Sequence, residues 1–243
     1  MKFTDLHLCA PWDNLELAKR LIVKSAELGY SQIGVPLFHS VREEVVDQLR
    51  QISGEAGLDF AARLDLMPRS SGELLVGLRR FRQRFEVVAV LCNSKAVARQ
   101  AAKDRRVDLL CFRSFDSGNR FFDRAEAELA SASSAAFEID LGQVLSGLES
   151  RSGVGVFSRL RREVATATSF GVPVVISSGA SEPLLLRKPK DCAALTLLFG
   201  MDELAAVNAL SLNPNAIVER SRKKHSADFV GPGVRLVKRR LDH

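Results

Sequence analysis

The sequence predicts an α/β barrel of parallel strands. Short apolar runs alternate with amphipathic helical stretches along most of the chain, and runs such as Val87-Val88-Ala89-Val90-Leu91 are apolar throughout, as strands covered on both faces require. The length points the same way, because 243 residues are long for one open sheet and ordinary for one barrel. A repeated βα order favours right-handed crossovers, and seven or eight such units favour closure. A doubly wound open sheet is the competing arrangement.

Strands are predicted at residues 3–8, 32–35, 60–66, 87–92, 107–112, 136–141 and 172–177. Between them the helices carry start signals. Asp13 precedes Glu16 by three, and Ser40 precedes Glu43 by three, the spacing of capping boxes. Val41, Val45, Leu49 and Ile52 share one helical face, with Gly54 as the expected stop. Leu74, Leu75, Leu78 and Phe81 repeat the pattern, with Arg79, Arg80, Arg82 and Arg84 turned outward. Residues 131–136 read as a loop inside the barrel. Pro189 can open a late helix whose apolar face is Ala193, Ala194, Leu197 and Leu198. The expected organisation is one barrel domain over residues 1–222 and a basic tail over 223–243.

Composition narrows the class. Hydrophobic residues make up 46% and charged residues 26%, the balance of a globular domain with a sizeable core. No stretch approaches the roughly 20 uncharged apolar residues of a membrane span. The opening Met1-Lys2-Phe3-Thr4-Asp5 has no signal-peptide character, so a cytoplasmic location without membrane contact is expected. Cys9, Cys92, Cys111 and Cys192 form no close pair, which disfavours a zinc cage or a disulfide framework. Net charge is +6, and it is concentrated. From residue 219 onward Arg220, Arg222, Lys223, Lys224, Arg235, Lys238, Arg239 and Arg240 face only Glu219, Asp228 and Asp242. That stretch can attract phosphate, or it can be a solvated terminus.

In a parallel barrel the C-terminal strand ends share one mouth. That rule gathers Asp5, His7, Arg63, Asp65, Asn93, Arg113, Glu138, Asp140, Ser177, Ser178 and Gly179. Asp5 and His7 are two apart and face one side of the first strand. A metal-dependent hydrolase would use such a pair as ligands, but only His39, His225 and His243 remain as further imidazoles. The other reading is a hydrogen-bonded pair that fixes the rim. Ser177-Ser178-Gly179-Ala180, with Arg187, Lys188 and Lys190 downstream, is either a phosphate loop before a helix start or a plain turn. No P-loop, G-x-S-x-G elbow or G-x-G-x-x-G fingerprint is present. One Trp and one Tyr, beside 14 Phe, argue against a base-stacking platform, so an RNA partner would be met through backbone and shape.

Several segments carry a more specific signal. They are Phe3-Thr4-Asp5-Leu6-His7, Ala26-Glu27-Leu28-Gly29-Tyr30 with Ile33, and Gly171-Val172-Pro173-Val174-Val175-Ile176-Ser177-Ser178-Gly179-Ala180. Arg187-x-Pro189-x-Asp191, Leu195, Leu198-Phe199-Gly200-Met201, Ala209-Leu210-Ser211-Leu212-Asn213-Pro214 and Ile217-Val218-Glu219-Arg220 continue the series. In this order and spacing they resemble the ribonuclease P protein component 3 family of archaea and eukaryotes. The resemblance covers residues 1–224, is firm from Leu160 onward, and transfers nothing around residues 142–156 or beyond 231.

The resemblance implies a TIM-barrel-like fold related to the polymerase-and-histidinol-phosphatase superfamily. It also implies a role in the ribonucleoprotein that removes the 5′ leader from precursor tRNA. RNA carries the catalytic centre there, so the protein is expected to hold no catalytic residue and no cofactor, with magnesium serving the RNA. The implied partners are the ribonuclease P RNA and a small Pop5-type subunit, with precursor tRNA met indirectly. The cations expected to contact RNA are Arg161, Arg162, Arg187, Lys188, Lys190, Arg220, Arg222, Lys223, Lys224, Lys238, Arg239 and Arg240. A barrel phosphoesterase using Asp5 and His7, and a scaffold that mainly holds the partner subunit, are the competing functions.

Overall fold

Seven strands follow one another in sequence order, every neighbouring pair parallel, as a nearly closed barrel. The computed structural model describes residues 1–112, 122–148, 153–226, 229–231 and 234–235, the side chains of residues 153–154 and of the last two segments excepted. The strands are β1 (Thr4–Asp5), β2 (Gln32–Leu37), β3 (Asp59–Leu66), β4 (Val87–Leu91), β5 (Leu109–Cys111), β6 (Ala136–Asp140) and β7 (Val174–Ser177). All seven predicted strands are present. The gap between β7 and β1 is bridged at the mouth, where Cys9 N donates to Ala180 O at 3.0 Å and Gly179 N to His7 O at 3.0 Å.

The helices outside are α1 (Leu15–Glu27), α2 (Glu43–Glu55), α3 (Ser71–Phe81), α4 (Lys95–Lys103), α5 (Arg124–Ser133), α6 (Leu141–Leu148), α7 (Gly153–Ser169), α8 (Pro189–Thr196), α9 (Glu203–Leu210) and α10 (Leu212–His225). Their starts differ from the predicted caps. Asn14, not Asp13, caps α1 by accepting from Leu17 N, and Arg42 precedes α2 with no side-chain cap. The fully buried face of α2 is Val46, Leu49 and Ser53, because the helix begins after Val41. Its stop is Gly57, with φ +76°, rather than the helical Gly54. Residues 131–133 complete α5, so the predicted loop shrinks to Ser134 (φ 69°) and Ala135. Pro189 does open α8, but Ala194, Leu197 and Leu198 lie exposed while Cys192 and Thr196 are buried. Strand and helix periods identify an apolar face; they do not say which neighbour covers it.

Two apolar layers result. The larger lies between strands and helices. The smaller fills the barrel with Leu6, Ala61, Val87, Ala89, Leu91, Leu109, Cys111, Ala136 and Val175, closed below by Ile217 and Val218 of α10. That helix lies across the N-terminal strand ends. Asn215 reaches Lys2 O and Thr4, Arg222 reaches Asp59 and Glu86, and Arg220 reaches Asp108 and Ser134 O. The barrel is therefore plugged by its own C-terminal helix. Because α10 continues to His225, the first residues of the predicted tail, Lys223 and Lys224, are helical. A short antiparallel pair, β8 (Phe229–Gly231) and β9 (Val234–Arg235), follows.

Candidate functional site

The predicted mouth residues converge, but on one another. Arg63 of β3 is 1% exposed and stands at the centre. Its Nε donates to Asp65 Oδ1 at 2.6 Å, its Nη1 and Nη2 to the two Glu138 oxygens at 2.6 and 2.8 Å, and its Nη1 also to Leu6 O at 3.0 Å. Glu138 of β6 further accepts from Ser177 Oγ and from Cys111 Sγ, both at 2.8 Å. The small neighbours Ala61, Ala89 and Ala136 leave the room that a guanidinium needs inside the barrel.

A second cluster surrounds His7. Its Nδ1 lies 2.7 Å from Asp140 Oδ2, its Nε2 3.3 Å from Asp65 Oδ2, and Cys9 Sγ is 3.6 Å from Nε2. Burial and Arg63 oppose charge on this imidazole, but the Asp140 and Asp65 carboxylates outweigh both and hold its pKa well above the ordinary histidine value. Asp140 also caps α6, accepting from Gln143 N at 3.1 Å. Gly179 has φ +59°, and a Cβ there would stand 2.1 Å from Asp140 Oδ1, so glycine is what lets the β7 loop approach the carboxylate. Asp5 is taken up separately: it accepts from Ser178 N at 3.0 Å, from Ser178 Oγ, and from His7 N at 3.1 Å. Burial raises the pKa of its carboxyl even though these bonds pull the other way.

These residues do not fit a metal ion. The two oxygens of Glu138 and one of Asp65 point at a fixed guanidinium, which already supplies the positive charge, and both nitrogens of His7 face carboxylates. Among the described residues, no group of three or more His, Cys, Asp or Glu is arranged to hold an ion. Nor are amides free for an anion on the Ser177–Ala180 turn: Ser178 N serves Asp5, Gly179 N serves His7 O, and Ala180 N serves Ser178 Oγ. Asn93 is exposed at the rim. His39 is exposed, with its ring 4.8 Å from Phe81. Arg113 lies outside the described residues.

The predicted RNA-contacting cations divide into two sets. Arg161, Arg162, Lys188 and Lys190 are exposed, and Arg187 is half-buried. Arg161 Nε holds Leu198 O at 2.8 Å, and Arg187 O accepts from the Tyr30 hydroxyl at 3.2 Å. Arg161 and Arg162 lie on α7, Lys190 in the first turn of α8, and Arg187 and Lys188 immediately before it. Arg222 instead is engaged by Asp59 and Glu86, at 2.7 and 2.6 Å, and Arg220 by Asp108 at 3.2 Å. Lys223 stands 3.9 Å from Glu219, while Lys224 is exposed. Lys238, Arg239 and Arg240 fall outside the described residues. One outward assignment is corrected: Arg82 is only 8% exposed and bonds Phe85 O, Asp108 and Ser221 Oγ. Sequence reasoning missed Asp108, which is 0% exposed and organises these arginines. Its one signal was an acid as the second residue of the strand predicted at 107–112.

Fold and site together define a parallel α/β barrel whose mouth is saturated by its own ion pairs and whose base is plugged by its last long helix. A chain of the cryo-EM structure of archaeal ribonuclease P with mature tRNA has this fold, with a TM-score of 0.79 at 20% identity, covering 98% of this chain and 100% of that one. The family model described as RNase P subunit p30 matches residues 2–226. "Ribonuclease P protein component 3" of Methanococcoides burtonii is 27% identical, covering 96% of this chain and 93% of that protein. The protein of the same name from Haloarcula marismortui is 32% identical over 76% of this chain and 77% of its own length. "Ribonuclease P protein subunit p30" of Mus musculus is 25% identical over 93% and 88%. The chain belongs to the ribonuclease P subunit p30 family.

Proposed function

We propose that this chain is an RNA-binding protein subunit of ribonuclease P, stabilising the RNA that removes the 5′ leader from precursor tRNA. The observation that carries the reading is the family match over residues 2–226, nearly the whole chain. The mouth agrees with it: the carboxylates of Asp65, Glu138 and Asp140 are engaged by Arg63 and His7, so none of these described groups stands free to activate water. The protein itself contributes no catalytic group, and magnesium serves the RNA. Lysine and arginine contacts to phosphate release counterions and relieve repulsion between packed RNA helices, so affinity falls steeply with salt. The exposed cations on α7 and α8 are suited to this. A small Pop5-type subunit is the proposed protein partner, in a cytoplasmic assembly. Leu197, Leu198 and Leu204, 51%, 47% and 71% exposed, support a protein neighbour beside α8 and α9. Among the described residues no helix is long and apolar enough to cross a membrane.

Reconstitution tests the reading. Cleavage of precursor tRNA should fall when Arg161, Arg162, Lys188 and Lys190 are replaced together by alanine in the assembled ribonucleoprotein. Unchanged cleavage with unchanged salt dependence would overturn it, as would metal-dependent phosphoesterase activity of the RNA-free protein that disappears in His7→Ala.

A further inference from the structure

One Trp and one Tyr are few rings for a stacking platform, and Tyr30 is buried. The fold nevertheless brings four rings to one flank of the barrel. Trp12, in the β1–α1 loop, packs against the core. Phe38, just past β2, meets it in a T-shaped pair with ring centroids 5.7 Å apart at 69°. Phe38 keeps 59% of its surface exposed. The next residue, the exposed His39, sets its ring 4.8 Å from Phe81 at the end of α3, and the Arg80 guanidinium stands 5.2 Å over that Phe81 ring. Arg84 fixes the loop that carries Phe38 and His39: its Nη1 donates to His39 O at 2.7 Å and its Nη2 to Val41 O. These six side chains come from three separate stretches of chain, and direct contacts join them.

We propose that this flank is a nucleobase-stacking site. An unpaired base of single-stranded RNA lies on the exposed ring of Phe38 beside Trp12, with its phosphates toward Arg80 and away from Asp13. The proposal rests on the subunit reading for the identity of the RNA, and extends that reading from phosphate contacts to a base contact. Every base has a π face, so such a site takes unpaired nucleotides with little regard to sequence. Trp12 is seated on the core and Arg84 pins the loop, so the ring pair is ordered before the base arrives and little freedom is lost on binding. Arg80 is exposed and supplies charge for a flanking phosphate, whereas Arg84 is shared with Glu43 at 3.9 Å. A protein neighbour suits another face better: exposed aliphatic side chains gather at Leu197, Leu198 and Leu204, while this flank offers rings and guanidiniums.

The test uses the full chain and the emission of Trp12, its only tryptophan. An oligoadenylate of about ten nucleotides is compared with an abasic strand of the same length. The oligoadenylate should quench Trp12 and bind at least about fivefold tighter than the abasic strand. Phe38→Leu, which keeps apolar bulk without a flat ring, should lose that advantage, and Phe38→Tyr should retain it. Thermal midpoints of both variants report that they fold. Arg80→Gln should lower the slope of log affinity against log salt by about one. Equal affinity for the two strands, unchanged Trp12 emission at saturation, or unaltered binding by Phe38→Leu or Arg80→Gln overturns the site. So does a Phe38→Leu chain that binds the oligoadenylate normally and no longer retains the Pop5-type subunit, which would make the flank a protein contact. If the base-dependent binding is found but the wild type does not bind ribonuclease P RNA, the site stands and the subunit reading falls. If wild type and Phe38→Leu bind that RNA equally and neither prefers bases, the site falls and the subunit reading stands.

Discussion

Arg63 owes its place in the barrel to the acids around it. A guanidinium at 1% exposure is stable only because Glu138 takes both of its terminal nitrogens and Asp65 takes Nε, and because burial of the three together is shared among short bonds. Burial alone would raise the Glu138 and Asp65 carboxyls, but Arg63 draws both down, Asp65 well below the usual range. Removing the guanidinium leaves the buried Glu138 carboxylate without its ion pair and Asp65 with His7 alone. Arg63→Ala should therefore cost about 3–5 kcal/mol in urea unfolding; a loss under about 1 kcal/mol would show that the mouth is not organised by this residue. Glycine at 179 acts at the same scale. Its left-handed φ and the 2.1 Å approach of a Cβ to Asp140 tie the β7 loop to the His7 pair. A period-two reading of β1 did bring out Asp5 and His7, and both do reach the mouth. It could not assign their partners, because Ser178 and Asp140 come from strands more than 130 residues away.

Between elements, the α4–α5 contact holds a titratable pair. Glu126 of α5 is 0% exposed; its Oε2 bonds Arg99 of α4 at 2.9 Å, while Oε1 has no hydrogen-bond partner among the described residues. Burial pushes its pKa up to about 7 against the pull of Arg99. A carboxyl with a folded pKa above its unfolded one favours the native state most at low pH. That contribution is complete below about pH 4.3 and fades as pH rises through 7. Stability of wild type minus that of Glu126→Gln should accordingly decline between about pH 4.5 and 7.5. Parallel stability profiles across that window would contradict it. Asp123 starts the helix as an N-cap, its carboxylate accepting from Glu126 N at 3.0 Å. What the spacing could not reveal is that Glu126, an ordinary first-turn acid in sequence, points inward.

For the molecule as a whole, the plug matters most. Ile217 and Val218 close the interior layer, and Arg220 and Arg222 fasten α10 to acids on Asp59, Glu86 and Asp108. Two of the cations that sequence reading offered to RNA thus hold the chain's own base, while Arg161, Arg162, Lys188 and Lys190 stay exposed. A chain ending at residue 211 should lose cooperative thermal unfolding, since it exposes the barrel interior, strips Asp59 and Glu86 of Arg222 and leaves Asp108 with Arg82 alone. Arg222→Ala alone, on a side chain 40% exposed, should cost no more than about 1 kcal/mol. Native-like cooperativity without α10 would mean that the interior is closed by packing of the strands alone.

The sequence by itself determined the parallel barrel, all seven strands, the ionisable residues Asp5, His7, Arg63, Asp65, Glu138 and Asp140 of the mouth, and the family resemblance. Each rests on local pattern: uninterrupted apolar runs, helical spacing, and motifs in fixed order. Only the tertiary structure decided which charges are free. Arg82, Arg220 and Arg222 look like Arg161 or Lys224 in composition and spacing, yet they meet carboxylates brought from 26 to 163 residues away. Whether a cation faces solvent or a buried acid depends on long-range packing, which no local period encodes.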